Sequence, residues 1–222
     1  MKEVLIYELM YSVDKVITGS SDNQIIGFID PENNSRERTS RYQEIYYDFI
    51  EDNFDMKKFS GDKKAKPTDI LSSNFLDMNG LFVSSAFAKL LEGFSMCCYK
   101  YMDVYIKHLS EKKDYRFLNL TMCPAINFEE SSFFFEDRLK EEQLEEIKLS
   151  SMQDFTDNIR KLRAAKGYNF TISPQKLVLN KVYDLFKYEI SGKILISEEL
   201  KNAIESSDLT GYSIRPFLYV FH

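Results

Sequence analysis

At 222 residues and 44% hydrophobic content the chain can bury a sizeable core, which excludes disorder as its overall state. Its net charge of −6 comes from 35 acidic and 29 basic residues, and no block of Lys and Arg is long enough to neutralise a run of phosphates. Nucleic acid is therefore excluded as the expected partner.

Eighteen Phe, fourteen Tyr and no Trp place the burden of packing on Phe, with Tyr half-buried and its hydroxyl wet. The cysteines Cys97, Cys98 and Cys123 are odd in number, two are adjacent, and no C-x-x-C spacing occurs. That pattern predicts neither a disulfide framework nor a zinc site. Glu3, Glu8 and Asp14 interrupt the apolar amino-terminal run, which is not that of a signal peptide, and no stretch approaches the length of a membrane span. The expectation is a cytoplasmic protein with no membrane partner.

In chain order, Val4 to Tyr11 and "QIIGFID" at 24 to 30 read as strands, the second ended by Pro31. Tyr42, Ile45, Tyr46, Phe49 and Ile50 then recur at helical spacing. "KKFSGDKKAKP" at 57 to 67 is polar enough to be a linker or exposed loop, and it divides the chain into an amino-terminal portion, 1–65, and a larger portion, 66–222. Thr68 and Asp69 are placed to cap a helical turn, "DILSSNF". In "GLFVSSAFAKLLEGF" a strand, Leu81 to Val83, meets a helix with Phe87, Leu90, Leu91 and Phe94 on one face and Ser84 or Ser85 as its cap.

Residues 96–108 and 115–122 form a hairpin pattern, with "SSFFFED" at 131–137 as a third antiparallel strand. "RLKEEQLEEIKL" reads as an exposed helix or charged connection. A capping box at Ser150 and Gln153 opens a helix over 151–166, with Met152, Phe155, Ile159 and Leu162 on one face and Gly167 as the stop. One or two strands follow Pro174, then strand, Ser197 and helix, and "GYSIRPFLYV" closes the chain. The fold class is α+β, a mainly antiparallel sheet with several amphipathic helices packed on it. "GLFVSSAFAKLLEGF" and "GKILISEELKNAIES" share one grammar, although two copies do not establish a repeat.

Chemistry is sparse. Only His108 and His222 are available to a nucleophile, His108 within a strand pattern, and no nucleophile elbow, P-loop or dinucleotide fingerprint occurs. Glu129, Glu130, Glu136 and Asp137 are the residues a metal-dependent or carboxylate-dependent hydrolase would use, yet carboxylates at strand ends read first as surface groups. Ser197 is followed by Glu198 and Glu199, whose charge opposes a developing oxyanion but suits a helix dipole, so it reads as an N-cap. Gly211 suits a left-handed turn. No catalytic residue, metal or cofactor is expected.

From about residue 66 onward the chain resembles the immunity proteins of bacterial polymorphic toxin systems, in particular the family called immunity protein eleven. The resemblance rests on "LFVSSAFAKLLEGF", "RFLNLTMCPAINFEESSF" and "YDLFKYEISGKILISEELKNAIESSDLTGYSI". Within the last, it rests on Phe186, Ile194 to Glu198, the helix over 199–207, and Leu209, Thr210 and Gly211. It implies a non-enzymatic protein that binds and neutralises a cognate toxin, with Ser197 and Gly211 as fold determinants. Were that toxin basic, as a nuclease is, Glu141, Glu142, Glu145 and Glu146 would be the residues to steer it. The alternatives are the hydrolase above and a non-catalytic interaction module.

Overall fold

The computed structural model describes residues 2–20, 23–29, 59–73, 80–140 and 142–222. The helix expected around Tyr42 to Ile50 lies outside them, as does Glu141. In chain order the elements are β1 (Glu3–Tyr11), α1 (Lys15–Thr18), β2 (Ile25–Phe28), β3 (Phe59–Gly61), β4 (Ile70–Leu71), β5 (Gly80–Ser84), α2 (Ser85–Leu91), β6 (Tyr99–Asp103), β7 (Ile106–Lys107) and β8 (Tyr115–Leu120). There follow β9 (Met122–Cys123), β10 (Ser132–Asp137), β11 (Glu142–Ile147), α3 (Met152–Lys166), β12 (Phe170–Val178), β13 (Leu185–Tyr188), β14 (Ile194–Ile196), α4 (Glu198–Glu205) and β15 (Tyr212–Phe221). Strands dominate, and with four helices beside mainly antiparallel pairings the described residues have an α+β character. Most pairings are antiparallel, but β3 with β7, β9 with β13 and β12 with β15 run parallel, which the sequence did not foretell.

Two compact units divide the chain: Met1–Ile6, Pro124–Val182 and Leu218–His222 form one, and Tyr7–Cys123 with Tyr183–Phe217 the other. Neither unit ends at the expected 65/66 boundary.

In the smaller unit the strand order is β11-β10-β12-β15-β1. "SSFFFED" is a strand as expected, but its partners are β11 and β12, with Phe133 opposite Ile147 and Pro174. Pro174 lies within β12 and coincides with a register shift, the place in a ladder that tolerates a residue without an N–H. The segment expected as an exposed helix or connection is instead strand β11. Its weak helical periodicity gave way once β10 offered a ladder. α3 begins one residue later than the predicted box: the Ser151 hydroxyl accepts from Asp154 N at 3.1 Å, while Ser150 N donates to the Asp154 carboxylate at 3.0 Å. Phe155 and Leu162 are its buried residues, and Gly167 ends it at φ +102°.

In the larger unit a sheet ordered β4-β5-β8-β6 carries the predicted hairpin, with Tyr101 opposite Leu118. The order β2-β3-β7 forms a second sheet, and β15-β1-β14-β13-β9 is the strand order of a third. Of the stretch expected as a linker or exposed loop, Lys63, Lys64 and Lys66 are exposed in a loop, but other residues are anchored. Phe59 and Ala65 are buried in one core with Ile25, Leu71, Phe82, Ile106 and Phe117, and the Phe82 ring meets Phe59 edge-on at 5.2 Å. The polar residues of 60–67 surround those two apolar anchors in sequence, and a composition window averages the anchors away. Gln24, wholly buried, donates through Nε2 to Lys66 O at 2.7 Å and accepts at Oε1 from Ser72 N at 3.1 Å, which ties β2 to this same stretch.

Thr68 and Asp69 cap no helix, because Ile70 and Leu71 pair with Val83 and Phe82 as a strand. His108 sits just past β7 in a left-handed turn at φ +73°, outside any strand.

Contrary to expectation, Cys97 and Cys123 form a disulfide. Strand β13 brings them together. Met96 bridges Leu185, Cys97 N donates to Leu185 O at 3.1 Å, and Cys123 lies opposite Tyr188. Sequence spacing carries no trace of that convergence.

Candidate functional site

Ser197 is where the sequence places the sharpest question of chemistry. Its hydroxyl accepts from Leu200 N at 3.1 Å and donates to the Asp184 carboxylate at 2.7 Å. A serine beside an aspartate resembles two thirds of a triad, but the bond runs directly from hydroxyl to carboxylate, with no imidazole to take the proton. The backbone is extended at the cap and helical after it, with Glu198 and Glu199 in the first turn of α4. Those charges meet the positive end of the helix dipole.

The same joint occurs a second time. Ser84 accepts from Phe87 N at 3.1 Å and donates to Asp69 at 2.6 Å. Ser84 N donates to Asp69 O at 2.8 Å, and Ser197 N donates to Asp184 O at 3.0 Å. Each aspartate then takes donors from the segment after the other joint's helix. Thr210, beyond α4, donates N–H and hydroxyl to Asp69 at 2.9 and 3.1 Å. Ser95, beyond α2, donates N–H and hydroxyl to Asp184 at 2.9 and 2.7 Å. The two copies are thus reciprocally latched, and the shared sequence grammar is a structural duplication of strand, serine, helix and latch.

Burial alone would push the Asp69 carboxyl up, but Lys113 at 2.8 Å, Ser84 and the Thr210 N–H outweigh it and hold it below its ordinary value. Burial likewise opposes ionisation of Asp184, and Ser95 and Ser197 reverse the balance. Both aspartates are therefore satisfied anions. A group already fixed as an acceptor of several hydrogen bonds is a poor general base.

Gly211, carried over as a turn, sits at φ +86°. A Cβ there would meet Ile70 O at 2.3 Å and the Thr68 side chain at 2.5 Å, so a close approach adds to the turn requirement.

The four carboxylates of the hydrolase alternative do not converge. Glu129 and Glu130 are exposed in a turn. Glu136 accepts from the Ser173 hydroxyl, and Asp137, buried, accepts from Leu139 N at 3.0 Å with Lys140 at 3.9 Å. As neighbours on a strand, Glu136 and Asp137 face opposite sides. Among the described residues no group of three His, Cys, Asp or Glu is placed to hold a metal.

Glu142, Glu145 and Glu146 lie exposed on β11, at the end of its sheet order. Gln143 and Leu144 between them are exposed as well, so this edge turns both of its faces outward.

One site has no counterpart in the sequence reading. Glu8 on β1 is 5% exposed, and its Oε2 accepts from Lys193 at 3.0 Å and from Arg215 Nε and Nη2 at 2.8 Å each. It borders a cavity of about 520 Å³ lined also by Met10, Ser12, Leu81 and Ile194. Its sequence signal was an acidic residue flanked by apolar neighbours in the middle of the strand. Exposed Val13 and Val16 follow directly, at 81% and 77%. Such an apolar pair standing in water suits contact better than catalysis.

No helix among the described residues is long and apolar enough to cross a membrane. No protein-family model matches the chain, and no curated protein is significantly similar to it.

Proposed function

We propose that this protein acts by binding, as an immunity protein that neutralises a cognate toxin in the cytoplasm of the producing cell. The observation that carries the reading is the state of Ser197. Its hydroxyl is held between Leu200 N and Asp184, and a twin at Ser84 is held in the same way. A residue that occurs twice in the same latched role is a builder of the fold. That fits a family whose shared motif at this position marks architecture.

The partner surface is the acidic edge of β11. Three exposed glutamates on a strand that ends its sheet order among the described residues offer negative charge to a basic toxin and main-chain groups to an added strand. Edge glutamates also block promiscuous pairing, so selectivity for a basic partner follows from the same charges.

The test pairs the chain with the toxin encoded beside its gene. Co-expression should rescue growth, and purified proteins should form a stable complex. Changing Glu142, Glu145 and Glu146 together to Lys should slow association about tenfold or more at low salt, with the difference shrinking as salt rises. No rescue and no complex overturn the function. Rescue with an unchanged association rate moves the interface elsewhere.

A further inference from the structure

Three sulfur atoms meet in the larger unit. Cys97 and Cys123 are bonded and buried, at 6% and 2% exposure. Cys98 is free and exposed, and its Sγ lies 3.3 Å from the Cys97 Sγ. In extended backbone neighbouring side chains point apart. Cys98 instead has φ +51°, a left-handed conformation that breaks the alternation, and the adjacent sulfurs are in contact. Thr121 N and its hydroxyl both donate to Cys98 O, at 3.0 and 3.4 Å, which anchors that turn to the segment leading into Cys123.

We propose that Cys98 is the exchange thiol of the Cys97–Cys123 disulfide, a redox modification site whose substrates are small thiols and small disulfides. Cys97 and Cys123 are buried, whereas Cys98 is exposed to a thiol in solution. Cys98 loses its proton to water and attacks Cys97 Sγ as the thiolate. The Cys97–Cys98 bond forms, the Cys97–Cys123 bond breaks, and the electron pair departs on Cys123 Sγ, which takes up a proton. No net oxidation occurs in that step. A small thiol RSH then attacks Cys98, leaving a mixed disulfide there and a free thiol on Cys97. A second RSH attacks the RS sulfur of the mixed disulfide and releases RSSR and the Cys98 thiol. Two RSH are oxidised and one protein disulfide is reduced; a small disulfide drives the same steps backwards.

The separation of 3.3 Å is within the range of reacting atoms, so the exchange gains from proximity. It also reconciles the bond with a reducing compartment, where persistent disulfides are rare and exchangeable ones serve as sensors. This inference is independent of toxin binding.

The test uses the oxidised full-length chain treated with reduced glutathione, quenched in acid, alkylated and mapped by peptide mass. The wild-type disulfide should be reduced about tenfold or more faster than in Cys98→Ser. Peptides carrying Cys97–Cys98 or glutathione on Cys98 should accumulate transiently in the wild type. Wild-type protein alkylated at Cys98 in the folded state should resist reduction as the variant does, a control free of any folding defect. Equal reduction rates in wild type, variant and alkylated protein overturn the proposal. So does a wild-type chain that forms no Cys97–Cys123 bond after treatment with glutathione disulfide.

Discussion

A single hydroxyl can hold a helix and an aspartate at once, and Ser84 and Ser197 do so. Each satisfies one of the orphan N–H groups at a helix start and donates to a carboxylate that is itself under-solvated. Removing the hydroxyl therefore takes away a cap and a charge-assisted hydrogen bond together. Ser197→Ala should lower stability by about 1–2 kcal/mol, and Ser84→Ala by about 2–3 kcal/mol. The larger loss belongs to Ser84 because it is fully buried and its partner Asp69 is 4% exposed, so water cannot replace the missing donor. Urea denaturation measures both, and toxin binding by either folded variant should be unchanged. The N-cap role of Ser197 was legible from Glu198 and Glu199. Its aspartate was not, because Asp184 lies in the bend just before β13 and no local spacing announces it.

At the scale of elements, the outcome depended on where each segment found its hydrogen-bond partners. α3 and α4 carried their own instructions: a cap, acid in the first turn and a spaced apolar face. β11 did not. A charged run with one Leu and one Ile has no strong period, and the open edge of β10 decided its conformation. Residues 59–67 went the same way, since polarity hid Phe59 and Ala65. Gly211 shows how a correct local reading can still understate a constraint. The left-handed turn was expected, but the closeness of Ile70 O comes from β4, far off in sequence. Gly211→Ala should accordingly destabilise the chain by about 2–4 kcal/mol, more than a φ penalty alone, with a matching drop in thermal midpoint. A cost below about 1 kcal/mol would show that β4 yields easily.

At the scale of the whole molecule, buried ionisable groups set how stability responds to pH. Lys187 is 1% exposed, and burial pulls its ammonium from 10.5 down to about 8. Between those values the unfolded chain still binds a proton that the folded chain has released, so stability rises with pH, by at most about 3 kcal/mol. Tyr101 moves the other way: burial pushes its phenol from 10.0 up to about 12. Tyr115 and Tyr188 are raised further for the same reason. Above 10.0 the unfolded chain loses phenolic protons that the folded chain keeps, and stability falls. Urea midpoints should therefore climb from pH 8, peak near about pH 10, and decline beyond it. Lys187→Met should flatten the rising limb and leave the falling limb in place. At the acid end, Asp69 and Asp184 contribute stability that is present above the ordinary carboxylate range and is lost as pH falls through their lowered values.

The sequence by itself determined the α+β class, the strands β1 and β15, and the serine caps of α2 and α4. All of these are properties of composition or of neighbours within a few residues. Tertiary structure alone decided the disulfide, the conversion of residues 142–147 into an edge strand, the core that spans residue 65, and the reciprocal latch of Asp69 with Thr210 and Asp184 with Ser95. The β10–β11 pairing is local, and it was hidden because a charged run has no strong period of its own. The other three depend on groups distant in sequence becoming neighbours, and a chain read residue by residue records the donors and acceptors without recording which of them will meet.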